Sequence, residues 1–377
     1  MIGIERLVLK LKYFLMSSYK KTYTLPFKFD IPNYSQAFLG ETSAFERWLK
    51  YIKRYFYIIL RRQNKHEVFN ILPSHNRILW INLSAPSLGD SLMDLSNRVM
   101  IRDKSIDLFT DKKNAILYDD DQVFLNVYTK KEEVGSSKYD LVIIDSYSTK
   151  SINIKSNLAP TTPFIGMFGY YNGPEVNRVL FSFHQMNHLL GYIKNEDDIN
   201  SSSKVSLFIS NEDQEVVSNI GLPAEYITIA LGGEWKYRTY NQWDKIIEKL
   251  IANNNNLNIV LIGSGNAKDI SEKLLKKMPL KNLFNCVDQF TFNQTAQIIK
   301  KSQVLLCCDG GLMHAANSVN TPIVSLFARL TPKMQLTENI VSFTLFDSTD
   351  VNNVLVKSIL EEYSKCINYV GSHLQVE

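Results

Sequence analysis

The chain has 377 residues, of which 45% are hydrophobic and 21% charged, a globular composition whose length favours two domains over one. It shows no signal-peptide pattern, no apolar stretch long enough to span a bilayer, and no metal-ligand or C-x-x-C spacing among its four cysteines. We therefore expect neither a membrane-spanning protein nor a disulfide or zinc scaffold. Reduced core cysteines (Cys286, Cys307, Cys308 and Cys366) favour a cytoplasmic location.

The formal net charge of +4 is unevenly distributed along the chain. Residues 1–74 contain 13 Lys and Arg against 5 Asp and Glu, an excess of eight positive charges, so residues 75–377 carry a net charge of −4. Because the body of the protein has no basic excess, we do not expect it to bind nucleic acid.

Residues 1–74 are interpreted as a basic, aromatic-rich helical extension. Two stretches, 4–19 and 45–62, suit helices with apolar and basic residues, and prolines break the chain between them. Three interpretations stay open for residues 1–65. They pack on the following domain, they lie on an anionic membrane surface with Trp48 and neighbouring rings buried, or they form an oligomer interface.

From Arg77 the pattern alternates between buried strands and helices, which is typical of a parallel α/β domain. The predicted strands are 78–84, 106–110, 115–117, 122–127 and 139–145, with a strand-and-loop region near Ile165. Helices are predicted from the turn at 87–90 to about Val99 and over 175–193. We predict a Rossmann-like domain over 75–195 and a polar linker over 196–223.

A second α/β series follows the linker. Strands are predicted at 225–233, 257–265, 284–287, 304–307 and 323–327, and helices at 241–252, after Gly265 to about Lys277, at 292–300 and after Gly311. We predict a second Rossmann-like domain over 224–350 and a C-terminal helix over 351–377. The loops of both domains are expected to face a central cleft, since such folds bind ligands at the carboxyl ends of their strands.

The first candidate site is the turn after the first strand. Ser87, Leu88 and Gly89 form a turn whose amides can approach a ligand, and Asp90 comes directly after them. Asp90 either caps the helix that begins here or serves as a general base within reach of an acceptor hydroxyl.

The second and third candidates are glycine turns of the second series. A turn at Gly232 is followed by Lys236 and Arg238, which indicates either a pyrophosphate clamp or a solvated basic loop. The turn that contains Gly263 and Gly265 lacks the third glycine of a dinucleotide fingerprint, so it is a weak signal alone.

The fourth candidate is the stretch CDGGLMHAANSVNTP (308–322). Gly310, Gly311 and Leu312 lie where a helix begins and would present amides to a phosphate. Asp309 would repel a phosphate, so we expect it to hold a hydroxyl or to organise the loop, while His314 is either a packed core residue or a ligand contact. Separately, the acidic run 119–121 either holds a divalent cation or forms a polar turn, and its position between short strands favours the turn.

Taken together and in this order, these motifs resemble the family-9 glycosyltransferases, the ADP-heptose:lipopolysaccharide heptosyltransferases. ILWINLSAPSLGD (78–90), ITIALGGEWKYRTYNQWDKI (227–246) and IVLIGSGNAKDI (259–270) look like that family's first, second and third motifs. CDGGLMHAANSVNTPIVSLFA (308–328) closely resembles the family signature D-T-G-L-x-H-x-A followed by T-P. The resemblance covers roughly residues 77–345.

The resemblance implies a GT-B fold, two Rossmann-like domains around a cleft, with the nucleotide sugar mostly in the C-terminal domain. It implies an inverting reaction without a metal or other cofactor, in which Asp90 deprotonates an acceptor hydroxyl that attacks ADP-heptose. The implied acceptor is the lipopolysaccharide inner core, on the cytoplasmic face of the inner membrane. Donor binding would fall to Gly232, Lys236, Arg238, Gly263, Asp309, Gly310, Gly311, Leu312 and His314.

Several positions depart from the family pattern. The usual Lys, Trp and Pro of the second motif are Arg238, Tyr240 and Asn241, and the signature's Thr is Gly310. The acid usual after the third motif has no clear counterpart, Asp269 being the nearest. The alternatives are a glycosyltransferase of the same fold that uses another nucleotide sugar or a protein or capsule acceptor, and a catalytically silent homologue that binds sugar nucleotides.

Overall fold

The computed structural model describes residues 13–14, 16–32, 43–135 and 138–373. Within these residues the chain forms two compact units, each built on one parallel β-sheet. The first unit comprises the described residues up to Pro86 together with 94–115 and 122–203. The second comprises 87–93, 116–121 and the described residues from Lys204 onward.

The first unit has five parallel strands. They are β1 (Arg77–Asn82), β2 (Ser105–Thr110), β3 (Phe124–Tyr128), β4 (Leu141–Ser146) and β5 (Phe164–Gly169), in the order β3-β2-β1-β4-β5. From Ala44 to Ser202 the α-helices are α1 (Ala44–Leu60), α2 (Leu88–Asp94), α3 (Lys112–Ala115), α4 (Thr149–Leu158), α5 (Arg178–Leu189) and α6 (Glu196–Ser202). Short 3-10 helices span Ser96–Ile101 and Lys131–Glu133.

Local chemistry explains the elements of the first unit. β1 and β4 are aliphatic runs whose side chains are buried on both faces, as in sheets covered by helices on both sides. α4 and α5 each begin where a side chain, Ser148 or Asn177, accepts a hydrogen bond from a backbone amide of the first turn. These caps fix where the chain leaves the strands and begins to cover the sheet.

The second unit has six parallel strands in the order β11-β10-β9-β6-β7-β8. They are β6 (Ile227–Ala230), β7 (Ile259–Ile262), β8 (Leu283–Asn285), β9 (Leu305–Cys308), β10 (Ile323–Ala328) and β11 (Ser342–Asp347). The helices are α7 (Asn211–Ser218), α8 (Trp243–Asn253), α9 (Lys268–Lys277), α10 (Phe292–Lys300), α11 (Gly311–Ser318), α12 (Pro332–Gln335) and α13 (Val356–His373). The 3-10 helices of this unit are Lys236–Arg238, Gly265–Ala267 and Val351–Asn353.

Both sheets contain a point where the direction of winding reverses. In the second unit the chain runs outward from β6 through β7 to β8 and then returns to β9 on the other side of β6. In the first unit β1 and β4 are neighbours in the same way. Open parallel sheets bind ligands beyond the carboxyl ends of the strands at such switch points, so these two places are where a site is expected.

The predicted class, α/β with two Rossmann-like parallel sheets, is confirmed. One predicted strand, 115–117, is wrong, because α3 ends at Ala115 and the chain then turns over 116–120. The side chain of Tyr118 in that turn is buried and its hydroxyl pairs with Ser91 Oγ at 3.0 Å. The polar-turn interpretation of the acidic run 119–121 is therefore supported. The four cysteines are buried and free, as predicted.

The region predicted as a linker, 196–223, contains α6 and α7. The predicted domain boundaries at 74, 195, 223 and 350 stay predictions, and the segments 87–93 and 116–121 of the N-terminal part of the chain belong to the second compact unit. The strand β11 was not predicted.

Helix α1 of the N-terminal segment packs on the first unit with one face. The ring of Tyr51 lies 4.5 Å from that of Tyr170, and Ile58 is buried in the cluster beside β1 and β4. The opposite face carries large exposed apolar side chains, Phe45, Leu49, Phe56 and Leu60. Most of the predicted helix 4–19 lies outside the described residues. In the part of the chain that is described, no helix is long and apolar enough to cross a bilayer.

Candidate functional site

The loops after β6 and β9 meet at the switch point of the second unit. β6 ends at Ala230 and leads into the turn at Gly232, while β9 ends at Cys308 and leads through Asp309 and Gly310 into α11. Because the two strands are adjacent and parallel, their loops lie at the same edge of the sheet. Motifs that are far apart in sequence are thereby brought together.

An ion pair joins these two loops. Arg238 Nη1 lies 3.2 Å from Asp309 Oδ2, and the aspartate side chain is almost completely buried. The pair is defined by distance and charge, because Oδ2 accepts no hydrogen bond from the described residues. Burial raises the pKa of Asp309 to about 6, the guanidinium of Arg238 opposes this rise, and the carboxylate of Asp90 adds to it. The buried carboxylate of Asp309 therefore joins the loop after β9 to the loop that contains Arg238, and its predicted role at the site stays a prediction.

Helix α11 begins without a side-chain cap. Gly310 precedes it in extended backbone geometry (φ 166°), and a Cβ atom there would meet nothing within 4 Å. The first backbone hydrogen bonds of the helix run from the amides of Met313 and His314 to the carbonyl of Gly310. The amides of Gly311 and Leu312 thus lie at the positive end of the helix dipole, where an anion is favoured.

The segment 87–90 lies against this helix within the second unit. A Cβ atom on Gly89 would lie 2.8 Å from His314 Cδ2 and 3.4 Å from Gly311 Cα, so only glycine permits the approach. Ser87 Oγ accepts from the amide of Asp90 at 3.2 Å and donates to Asp90 Oδ2 at 2.5 Å. Asp90 is the third residue of α2, and it comes close enough to influence Asp309 electrostatically.

Two further predicted glycines shape the turns beside the site. Gly232 has a left-handed backbone (φ 81°), and a Cβ atom there would lie 2.9 Å from Asn266 Oδ1. A Cβ atom on Gly263 would lie 2.6 Å from Ala267 Cβ. Both glycines let the loops after β6 and β7 pack together, so their direct contribution is to loop geometry. Lys236 is exposed in the 3-10 turn that also contains Arg238.

The two substituted aromatic and proline positions of the second motif lie outside the site. Tyr240 is buried in the core, with its hydroxyl donating to the carbonyl of Val354 at 3.2 Å and its ring edge-on to Trp243. Burial raises the pKa of Tyr240 to about 12. The Asn241 amide donates to Asn352 Oδ1. Tyr240 therefore anchors the loop in the core, and Asn241 ties the loop to the 3-10 turn at Val351–Asn353.

Sequence reasoning missed an acid beside the Gly263 turn. Asp269 is exposed on the first turn of α9. Asp288, after β8, has a left-handed backbone, and its amide donates to the carbonyl of Gly263 at 2.9 Å. Its carboxylate lies 3.4 Å from Lys268 Nζ and 3.6 Å from where a Cβ on Gly265 would be. The position of Asp288 directly after β8, the third strand of a doubly wound sheet, is the signal from which it could have been predicted.

Sequence reasoning also missed a cluster of two arginines around an aromatic ring. Arg238 Cζ lies 5.5 Å from the ring centroid of Tyr237, and Arg329 Cζ lies 3.9 Å from the same centroid. Arg329 follows β10 and belongs to no motif. Only the order of the strands brings it to this edge of the sheet.

The switch point of the first unit is occupied by one of its own side chains. Asp145, at the end of β4, accepts hydrogen bonds from the amides of Leu83 (2.7 Å), Ser84 (2.6 Å) and Ser146 (2.6 Å), and from Ser151 Oγ (2.7 Å). This buried carboxylate takes up amides of the loops after β1 and β4 that could otherwise bind an anion. The anion site is therefore expected in the second unit.

Among the described residues, no group of three or more His, Cys, Asp or Glu side chains has the arrangement needed to hold a metal ion. The predicted independence of metal stays a prediction.

Comparisons with known proteins agree with this fold. Residues 170–344 match the family described as Glycosyltransferase family 9 (heptosyltransferase). No curated protein matches the chain.

Three solved structures illustrate the likeness. A family-9 glycosyl transferase from Veillonella parvula superposes with a TM-score of 0.66 at 13% identity, covering 78% of this chain and 98% of that one. E. coli ADP-heptose lps heptosyltransferase II gives 0.62 at 17% identity, covering 78% and 99%. E. coli heptosyltransferase WaaC with ADP-2-deoxy-2-fluoro heptose gives 0.57 at 14% identity, covering 76% and 99%. At these identities the likeness concerns the fold, and it confirms the predicted GT-B class.

Proposed function

We propose that this chain, whose residues 170–344 match glycosyltransferase family 9, transfers heptose from ADP-heptose to a lipopolysaccharide inner-core acceptor. The proposed reaction inverts the anomeric centre and needs no metal or other cofactor. Two structures of similar fold are described as an ADP-heptose lps heptosyltransferase and as a heptosyltransferase with ADP-2-deoxy-2-fluoro heptose, which supports this class of donor.

The observation that carries the proposal is the grouping of opposite chemistries at one sheet edge. Arg238 and the uncapped start of α11 suit a pyrophosphate, while the carboxylate of Asp90 lies near enough to Asp309 to raise its pKa. A transferase needs both an electropositive site that stabilises the leaving group and a base that deprotonates the incoming hydroxyl.

The donor pyrophosphate is proposed to bind the amides of Gly311 and Leu312 together with the cations of Lys236 and Arg238. When the bond to the sugar breaks, negative charge grows on the departing ADP. Fixed amides, a helix dipole and cations stabilise that charge without having to reorganise. Asp309 does not face the phosphate in this arrangement, because it is engaged by Arg238.

Asp90 is proposed as the general base. Its carboxylate takes the proton of the acceptor hydroxyl, and the acceptor oxygen forms a bond to the anomeric carbon of the heptose. The bond from that carbon to the β-phosphate oxygen breaks, and its electron pair leaves with ADP. A single displacement of this kind inverts the configuration. The hydroxyl of Ser87 holds the carboxylate in place.

Nucleotide selectivity tests the donor assignment. Calorimetric titration of the full chain with ADP, UDP, GDP and CDP, with and without Mg²⁺, is expected to show a preference for ADP that Mg²⁺ does not change. Arg238→Ala should weaken ADP binding by about ten- to a hundredfold, the effect of losing a charge-assisted contact. Lys281→Ala, an exposed change before β8 at the opposite sheet edge, should leave it unchanged.

The role of Asp90 is tested separately from binding. Asp90→Asn should bind ADP normally and lose transfer by about a hundred- to ten-thousandfold, the usual contribution of a general base. A preference for UDP or GDP would transfer the proposal to another nucleotide sugar. Binding of ADP with no turnover on an inner-core acceptor would favour a protein or capsule acceptor or a silent homologue. Failure to bind any of the four nucleotides would refute the transferase assignment of the site.

The N-terminal segment is proposed to hold the enzyme at the cytoplasmic face of the inner membrane through residues 1–65. Support comes from α1, where Phe45, Leu49, Phe56 and Leu60 recur at helical spacing on the exposed face, and from the excess of positive charge in residues 1–74. An apolar helix face flanked by lysines suits the headgroup region of an anionic bilayer.

Sedimentation with liposomes tests this contact. The chain should sediment with anionic vesicles more than with neutral ones, and a double change of Phe56→Ser and Leu60→Ser should reduce the bound fraction severalfold, because two exposed apolar anchors are lost. Leu125→Ser, an exposed change on β3, is the matched control. Unchanged sedimentation together with a lower mass in solution would instead identify an oligomer interface.

A further inference from the structure

Arg329 lies beside the candidate site although no motif contains it. It follows β10, and β10 pairs with β9, which leads to Asp309, so both residues lie at the carboxyl edge of one sheet. The ring of Tyr237 faces two guanidinium groups, Arg329 at 3.9 Å and Arg238 at 5.5 Å. Tyr237 therefore links Arg329 to the loop that carries the proposed pyrophosphate ligands.

The two arginines differ in their electrostatic surroundings. Arg238 is paired with the buried carboxylate of Asp309, which compensates much of its charge. Arg329 is exposed and forms no ion pair with the described residues. Lys236, two residues before Arg238, is also exposed and also forms no ion pair with them. The loops after β6 and β10 thus carry two cations, Lys236 and Arg329, that have no ion-pair partner among the described residues, and an anion bound between them would relieve their repulsion.

The backbone conformation of Arg329 is unfavourable for a residue with a side chain. Its φ is +67°, a left-handed conformation that costs free energy for any residue with a Cβ atom and none for glycine. The amide donates to the carbonyl of Asp347 at 3.3 Å, which fixes this geometry. Keeping an arginine where glycine would be more stable is understandable if the side chain has a function.

We propose that Arg329 binds the pyrophosphate of the nucleotide-sugar donor and selects nucleoside diphosphates over monophosphates. The inference rests on the proposed function of this site. The face of Tyr237 fixes the plane of the guanidinium by a cation–π contact and leaves its N–H groups free to donate to phosphate oxygens. A fork of this kind can bind oxygens of both phosphates, which a monophosphate cannot offer.

Calorimetry of the full chain with ADP and with AMP tests the inference. Arg329→Gly should weaken ADP binding about tenfold and change AMP binding little, because one charge-assisted contact to the pyrophosphate is lost. The same variant should unfold at a temperature no lower than the wild type, since glycine relieves the left-handed backbone. Arg329→Lys should recover part of the ADP affinity. Lys281→Gln should leave the affinities for both ADP and AMP unchanged.

Substitution of the ring separates positioning from charge. Tyr237→Phe keeps the aromatic face and should retain ADP affinity, whereas Tyr237→Leu should reduce it, because the guanidinium loses its support. The same loss of affinity for AMP and ADP in Arg329→Gly would overturn the proposed selection of diphosphates. Unchanged ADP affinity in that variant would overturn the inference and leave the proposed function standing. Absence of nucleoside diphosphate binding in the wild type would instead refute the proposed function.

Discussion

Three influences act on the carboxyl group of Asp309: its burial, the cation of Arg238 and the carboxylate of Asp90. Its pKa is raised from an ordinary value of 3.8 to about 6, chiefly because burial disfavours the charge. A carboxyl whose folded-state pKa lies above its unfolded value holds its proton more tightly when folded. Stability therefore falls as the pH rises between about 4 and 6 and then stays level, with a total effect of about 3 kcal/mol at neutral pH.

Asp309→Asn should remove this dependence. The variant keeps the shape of the side chain without the charge, so its stability at pH 7 should equal or exceed that of the wild type, while ADP binding weakens because Arg238 loses the partner that orients it. Urea unfolding at pH 4.5 and pH 7, with nucleotide calorimetry, provides the measurement. If the difference in stability between the two proteins is the same at both pH values, Asp309 is not the titrating group.

Two glycines of the site offer a matched comparison. At Gly89 a Cβ atom would lie 2.8 Å from the buried ring of His314, whereas at Gly310 it would meet open space in an extended backbone. Gly89→Ala should cost about 1–3 kcal/mol through overpacking. Gly310→Ser should stay within about 0.5 kcal/mol of the wild type or exceed it, since serine is a good cap. Equal unfolding midpoints for the two variants would show that the 87–90 segment does not rest on α11.

At the scale of elements, the strands with strong local signals were predictable. β1, β4, β6 and β9 are aliphatic runs followed by polar or glycine turns, so both the strands and the turns could be placed from the sequence. β11 was missed because its residues, Ser342–Asp347, are only half-buried at the sheet edge. The apolar residues 115–117 were assigned to a strand although they close a helix and enter a turn.

The site was predictable only where a motif marked it. Asp90, Arg238 and Asp309 belong to recognisable turns, and the structure brings them together. Arg329 and Tyr237 have no local pattern, because their contact depends on the order in which strands assemble. Long-range placement of this kind is a property of sheet topology.

The loops of the first sheet should depend on Asp145. This buried carboxylate accepts four hydrogen bonds, of which the two from the amides of Leu83 and Ser84 join the loop after β1 to the end of β4. Asp145→Ala should lower the free energy of unfolding by at least about 3 kcal/mol, since it leaves several buried donors unsatisfied. Asp140→Ala removes an exposed carboxylate that accepts two amides, where water can take its place, and should cost about 1 kcal/mol. Urea unfolding compares them, and equal costs would contradict the assigned role.

At the scale of the molecule, the proposed donor-binding residues and the proposed base belong to one compact unit. The second unit contains residues 87–93 and everything described after Lys204, which includes Asp90, Lys236, Arg238, Asp309 and α11. Nucleotide binding should therefore stabilise this unit against unfolding more than it stabilises the first unit.

Hydrogen exchange should show this asymmetry. With ADP at about a hundred times its Kd, binding adds about 2.7 kcal/mol, so the slowest amides of β6 and β9 should exchange up to about a hundredfold more slowly. The amides of β1 and β4 should change far less. Exchange measured by mass spectrometry on the full chain, with and without ADP, tests the expectation, and equal protection of both sheets would contradict it.

The carboxylate of Asp145 also has a consequence for stoichiometry. The chain contains two sheets of the nucleotide-binding type, so it is expected from architecture alone to accommodate two nucleotides. In the first sheet, however, these loop amides already donate hydrogen bonds to the carboxylate of Asp145. A titration should therefore saturate at one nucleotide per polypeptide.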